Sequence, residues 1–174
     1  RFGTDGSGGL VGSAINSDIS SCSSKVDMTA EAAITNGASA IGGLVGSLIN
    51  SRVKDVYAVG DINYSNVNAT GSQALGGLVG AMRDSLLERA YYAGKIVAVN
   101  AQNVGGAVGA VVNSFTENLF WDYQVSGVAV SAVGEGKKTS ALKKKTFWVS
   151  RNFDQHLWKI VGGKYPTLFG ADGA

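Results

Sequence analysis

The chain has 174 residues, a formal net charge of +2 and only 16% charged residues. That is long enough for one hydrophobic core and too weakly charged to draw the whole molecule to nucleic acid or to a membrane surface. The lone Cys22 excludes an intramolecular disulfide, and no stretch approaches the roughly 18 uninterrupted apolar residues of a membrane-crossing helix. With 25 glycines, one proline and so few charges, the surface falls to Ser, Asn, Thr and Gly, a composition associated with secreted β-proteins. The chain opens at Arg1-Phe2-Gly3 without a leader sequence and reads as a piece of something longer.

From the start, one glycine-rich pentapeptide sets the organisation. It recurs as Gly8-Gly9-Leu10-Val11-Gly12, Gly42-Gly43-Leu44-Val45-Gly46, Gly76-Gly77-Leu78-Val79-Gly80 and Gly105-Gly106-Ala107-Val108-Gly109, at spacings of 34, 34 and 29 residues. Such a period predicts a stacked repeat array. Each copy continues into a polar corner (Asn16-Ser17, Asn50-Ser51, Asp84-Ser85, Asn113-Ser114) and then an apolar position (Ile19, Val53, Leu87). A short strand follows in each (Cys22-Ser23-Ser24, Val56-Tyr57-Ala58, Ala90-Tyr91-Tyr92, Leu119-Phe120-Trp121), and then a second apolar position (Met28, Ile62, Ile96). Short β-type runs without a 3.6-residue pattern argue against helical repeats, so the fold expected is all-β, a parallel β-helix-like solenoid of about four coils over residues 1–122.

Three glycines per coil need a structural reason. Either positive φ or close approach of another segment at one corner would supply it, so Gly8, Gly9, Gly12, Gly42, Gly43, Gly46, Gly76, Gly77, Gly80, Gly105, Gly106 and Gly109 are read as scaffold. The shortening of the third repeat falls where longer copies carry residues 64–71, expected to be a projecting loop and one candidate binding surface.

After Trp121 the repeat stops. Residues 123–174 are expected to cap the last coil and cover its open strand edge. Thr139 or Ser140 is placed as N-cap of about two turns of helix, with Leu142 and Phe147 inward and the lysines outward. Leu157–Ile160 and Lys164–Phe169, around Val161-Gly162-Gly163, read as a β-hairpin.

The copy at 42–62, Gly-Gly-Leu-Val-Gly followed by Asn-Ser-x-Val-x-x-Val-Tyr-Ala-x-Gly-Asp-Ile, resembles the GLUG repeat of large secreted bacterial proteins. Those proteins include filamentous-haemagglutinin-like adhesins and the non-catalytic regions of immunoglobulin A1 proteases. Phe120-Trp121-Asp122, Ser126-Gly127, Gly134-x-Gly136, Thr139, Leu142-Lys143, Phe153-Asp154, Trp158 and Tyr165-Pro166-x-Leu168 are similar to the region that often follows such repeats. The resemblance covers roughly residues 8–169, with Ala107 replacing leucine in the last pentapeptide and Ser23 replacing the aromatic in the first coil. It implies an extracellular, bacterial-surface context and supplies no catalytic residue to transfer.

Candidate chemistry is sparse. Cys22, the only cysteine, aligns with Val56 and Ala90 and reads as a small core residue; His156, the only histidine, lies far along the chain beside Asp154. No zinc-ligand spacing is present, so no metal or cofactor is expected. Gly134–Thr139 departs twice from a phosphate-binding loop, and the aspartate of Gly3-Thr4-Asp5-Gly6-Ser7-Gly8 is thin support for calcium. Asp55 and Asp61 in one coil are the nearest approach to the paired acids a glycoside hydrolase needs. Tyr57, Tyr91 and Phe120 share one repeat position and form a candidate ladder, binding sugars or protein if it faces out and packing if it faces in, with packing the favoured reading. Lys137, Lys138, Lys143, Lys144 and Lys145 make a basic patch, read as a solvated helix face ahead of an anion dock. The function expected is a non-enzymatic structural or binding module of a bacterial adhesin, secreted or surface-anchored. Its expected partners are a glycan or protein of a host or neighbouring cell, together with upstream coils of the same polypeptide. A carbohydrate-active β-helix enzyme and a pure spacer stalk are the alternatives.

Overall fold

In a computed structural model describing residues 6–32, 39–66 and 73–170, the repeats stack into parallel sheets. Each full repeat contributes four strands. The first sheet takes β1 (Gly6–Gly8), β5 (Ser39–Gly42), β9 (Gln73–Gly76) and β13 (Asn103–Gly105). The second takes β2 (Val11–Ile15), β6 (Val45–Ile49), β10 (Val79–Arg83) and β14 (Val108–Val112). The third holds β3 (Asp18–Ser24), β7 (Arg52–Ala58), β11 (Leu86–Tyr92), β15 (Phe115–Asp122) and β16 (Glu135–Lys137), and the fourth β4 (Met28–Ala32), β8 (Ile62–Asn66) and β12 (Ile96–Val99). Register follows the repeat: Val11 pairs with Val45, Val45 with Val79 and Val79 with Val108. Like residues therefore lie above one another about 4.8 Å apart. The shortening of the third repeat falls between β12 and β13. Residues 67–71 of the longer loop and residues 3–5 of the candidate calcium segment lie outside the described residues.

The two explanations open for the glycines are separated by geometry. None of the pentapeptide glycines has positive φ. The turn after the glycine pair instead folds the first sheet back onto the second, backbone against backbone. A Cβ on Gly76 would sit 2.7 Å from Gly109 N and 2.8 Å from Ala107 O, and one on Gly80 2.7 Å from Gly46 O. Such separations leave no room for a side chain, and Ala40, Ala74, Ala81 and Ala110 continue the small-residue seam.

The corner between the second and third sheets uses residues that tolerate a left-handed backbone. Asn16, Asn50, Asp84 and Asn113 have φ of 50°, 46°, 50° and 47°. Asn50 Nδ2 donates to Asn16 Oδ1, and Asn113 Nδ2 to Asp84 Oδ1, each at 2.6 Å. Beside this row runs a serine ladder: Ser51 and Ser85 accept from the backbone N–H of Ser17 and Ser51 at 3.0 and 3.1 Å. A second left-handed residue interrupts each of β3, β7, β11 and β15 in the third sheet, at Ser21, Asp55, Arg89 and Asn118. It puts Val53, Val56 and Ala58 in the interior, with Leu44, Leu78, Val79, Leu87 and Tyr92, and turns Tyr57 to the opposite face.

The C-terminal segment does two things. Residues 128–137 run across the last rung: Gly106 N donates to Val130 O at 2.8 Å, Ala132 N to Val108 O at 3.0 Å, and β16 pairs with β15 from Phe120 onward. Before that, Asp122 accepts from Gln124 N and Val125 N and so N-caps α1 (Tyr123–Ser126), a turn not anticipated from sequence. Where one helix is expected, two single turns form, α2 (Thr139–Leu142) and α3 (Lys145–Val149). Thr139 is the first helical residue and not the cap; its N–H donates to Gln124 Oε1 at 3.0 Å. Continuation past Leu142 is blocked because its carbonyl accepts Trp148 Nε1 at 2.6 Å, and Lys143 O accepts Gly163 N at 2.8 Å. Leu142 is buried as expected; Trp148, not Phe147, is the fully buried ring of α3. The hairpin forms with shorter strands, β17 (Trp158–Lys159) antiparallel to β18 (Thr167–Leu168).

Candidate functional site

The aromatic position of the repeat faces away from the solenoid interior, yet it is closed. Tyr57 and Tyr91 stack with ring centroids 5.2 Å apart and planes 2° from parallel. Trp148, Phe153, Trp158, Leu142 and Leu168 pack over them and Phe120, leaving the three rings at most 2% exposed. The ladder is packing, as favoured from the sequence, but its face is corrected: it points away from the interior and is covered because residues 139–170 fold along the outer face of the third sheet. Tyr57 Oη is buried without a hydrogen-bond partner among the described residues, so that position supplies a ring and not a polar handle.

The residues that follow the repeats tie this layer down. Tyr91 Oη donates to Pro166 O, and Tyr165 Oη to Asp122 Oδ2. Burial first, then the bond to and the charge of Asp122, push the Tyr165 phenol well above its ordinary value and keep it a neutral donor. Trp121 Nε1 donates to Val128 O at 2.8 Å. Each motif residue named here has a packing or hydrogen-bonding task.

Asp55 is a second carboxylate joining the layers, beside Asp122. Arg89 holds it through Nε at 2.8 Å and Nη2 at 3.0 Å, and Trp158 Nε1 donates to it at 3.2 Å. Burial works to raise its pKa, but the bonds from Arg89 and Trp158, with the charges of Arg89 and Lys54, together hold it below the ordinary carboxylate value. A depressed carboxylate pKa gives stability that is present above the unfolded value of about 3.9 and is lost as pH falls through the folded one. Thermal melts of Asp55→Asn, which tolerates the same left-handed backbone, are expected to lie below wild type at pH 7. The gap should narrow toward pH 2.5; parallel curves across that range would refute the assignment. Asp61 is likewise engaged, accepting Lys95 N at 2.8 Å while its own N–H donates to Asp27 Oδ1 at 2.8 Å.

The five lysines do not share one helix face. Lys137 pairs with Glu135, and Lys143 Nζ lies 4.9 Å over the Tyr165 ring, while Lys138, Lys144 and Lys145 are exposed. Cys22 is half-buried at its register position beside Val56, because β3 has a neighbouring strand on one side only among those described. His156 is exposed, its backbone N–H donating to Asp154 Oδ1 at 2.8 Å. Among the described residues, no three His, Cys, Asp or Glu side chains gather as metal ligands, and no helix is long and apolar enough to cross a membrane.

What sequence reading treats only as a corner also forms a concavity. The Asn16–Asn113 row and the adjoining register row Asp18, Arg52, Leu86 and Phe115 line an open groove of about 730 Å³ that runs along the stack. That volume lies within the range of small-ligand sites. Phe115 is 76% exposed at one end. It escapes a repeat-based reading because its counterparts are an aspartate, an arginine and a leucine.

Residues 37–63, a stretch that takes in β5, β6 and β7, match the family described as the GLUG motif. No curated protein and no solved structure matches the chain.

Proposed function

We propose that this chain is a non-enzymatic binding module of a bacterial adhesin, secreted or held at the cell surface. The observation that carries the reading is the open, polar groove built on the corner ladder. Its walls are fixed by backbone pairing along the whole stack, so a ligand would meet side chains already held in place. The GLUG motif, found in bacterial surface and secreted proteins, supports the location. Asp55 is occupied by Arg89 and Trp158 and Asp61 by the Lys95 amide, which weighs against a hydrolase using that pair.

Within this reading residues 128–137 act as the cap of a four-coil array, and 139–170 as a brace along its side. The rung formed by β1–β4, with Leu10, Ile15 and Val26 exposed, suits stacking by a further coil. The test is attachment. Purified protein is expected to bind host or neighbouring cells saturably, and deletion of this segment from the parent protein is expected to lower adherence of the producing bacterium. Absence of binding together with unchanged adherence would leave a spacer stalk.

A further inference from the structure

The geometry points to a linear, uncharged oligosaccharide as the ligand of the corner groove, with Phe115 as its stacking platform and the Asn16–Asn50 row and Arg52 as its hydrogen-bonding wall. This rests on the binding-module reading and narrows it to one ligand class and one face.

The inner rungs of the groove floor offer no free N–H to a peptide backbone. Their N–H groups already close the ladder: Asn50 N donates to Arg83 O at 3.0 Å, Arg52 N to Ser17 O at 2.9 Å, Leu86 N to Ser51 O at 3.0 Å and Phe115 N to Ser85 O at 2.9 Å. The serine hydroxyls are engaged too, Ser51 and Ser85 each donating at 2.7 Å to the carbonyl two residues back. Strand addition is therefore closed off, and recognition must run through the outer side chains.

Those side chains have hydrogen-bonding capacity left. The bond between Asn50 Nδ2 and Asn16 Oδ1 uses one polar atom of each amide and leaves Asn16 Nδ2 as donor and Asn50 Oδ1 as acceptor, both residues being exposed. Arg52 adds a planar donor fork. A donor and an acceptor side by side suit the vicinal hydroxyls of a sugar, each of which both gives and takes a hydrogen bond.

Charge argues for a neutral ligand. Asp18 and Arg52 occupy the same register row, and Asp84 lies 3.8 Å from its neighbour Arg83. Signs alternate along the groove and no single-sign field exists to hold a polyanion.

The apolar end completes the set. A phenylalanine 76% exposed in line with polar rungs gives a flat apolar face for the C–H side of a pyranose. Four rungs at the parallel-strand spacing extend about 14 Å. An extended pyranose chain advances by roughly one rung per sugar, so three to four sugars would fill the groove.

Calorimetric titration of the whole chain with hexamers of β-1,4-linked glucose, N-acetylglucosamine and mannose, beside oligogalacturonate as charged control, tests this. At least one neutral hexamer is expected to bind, with Phe115→Ala weakening it about tenfold and Arg52→Ala several-fold. The melting temperature should stay unchanged, since both side chains are exposed. Phe169→Ala, exposed on the C-terminal segment, is expected to bind as wild type. Binding of none of the three hexamers, equal binding by the Phe115 and Arg52 variants, or preference for oligogalacturonate would overturn the proposal. Protein that adheres to cells yet ignores all three hexamers loses the glycan assignment and keeps the attachment role; protein that does neither loses both.

Discussion

Gly77→Val is expected to abolish the cooperative thermal transition. A Cβ at Gly77 would overlap the Tyr92 ring and the carbonyl oxygen of Gly106 on the next rung. Neither neighbour is free to move. Tyr92 is fully buried, with its hydroxyl donating to Gly60 O at 2.9 Å and Lys95 O at 3.2 Å, and Gly106 is pinned through its N–H to Val130 O. Overpacking of an ordinary core costs about 1–3 kcal/mol. Here the added atoms strike backbone as well as a locked ring, in the middle of the stack, so a loss above about 5 kcal/mol is expected, comparable with the whole stability of many domains. Two controls set the scale. Gly162→Ala meets nothing within 4 Å and should melt as wild type. Gly12→Ala meets the oxygen of Gly6 at 2.7 Å in the outermost described rung and should lose less than Gly77→Val. Circular-dichroism melts decide, and a Gly77→Val transition within a few degrees of wild type would mean that the sheets are not held at backbone contact there.

The pentapeptide makes the period, the corner and the interior rows at Ile19, Val53 and Leu87 legible in the sequence alone, because each is a residue type recurring at a fixed offset. The face of Tyr57 and Tyr91 was not legible, for an identifiable reason. Strand alternation predicts the face only while the strand stays regular, and a left-handed residue interrupts each repeat strand of the third sheet at Ser21, Asp55, Arg89 and Asn118. Those four positions share no residue type, so a repeat alignment carries no mark of the bend. The groove was half legible. Its asparagines read as turn formers, which they are, but the same row becomes a wall only once stacked, and Phe115 stands alone in its register row.

Whether the C-terminal layer is part of one cooperative unit with the solenoid decides how the module behaves, and Trp158→Ala is the sharpest probe of it. Trp158 is fully buried, with ring centroids 6.0 Å from Tyr57, 6.2 Å from Tyr91 and 5.0 Å from Phe153, and its N–H reaches Asp55. Truncation to alanine in such a setting costs about 3–5 kcal/mol, and for a chain of this size that lowers the melting temperature by roughly 10 °C. Trp158→Phe keeps a ring and loses the N–H, so its cost is expected to be about 1–2 kcal/mol. In one unit, the far-ultraviolet signal of the β-ladder and the near-ultraviolet signal of the aromatics shift together. Independent melting would instead move the aromatic signal alone and uncover Tyr57, Tyr91 and Phe120 to a dye such as ANS while the ladder held its wild-type transition. That outcome would turn the covered rings into a conditional surface and sink the account of the segment as a fixed brace. Coincident transitions would establish that the Asp55–Arg89 pair and the three rings fasten the segment to three successive rungs at once.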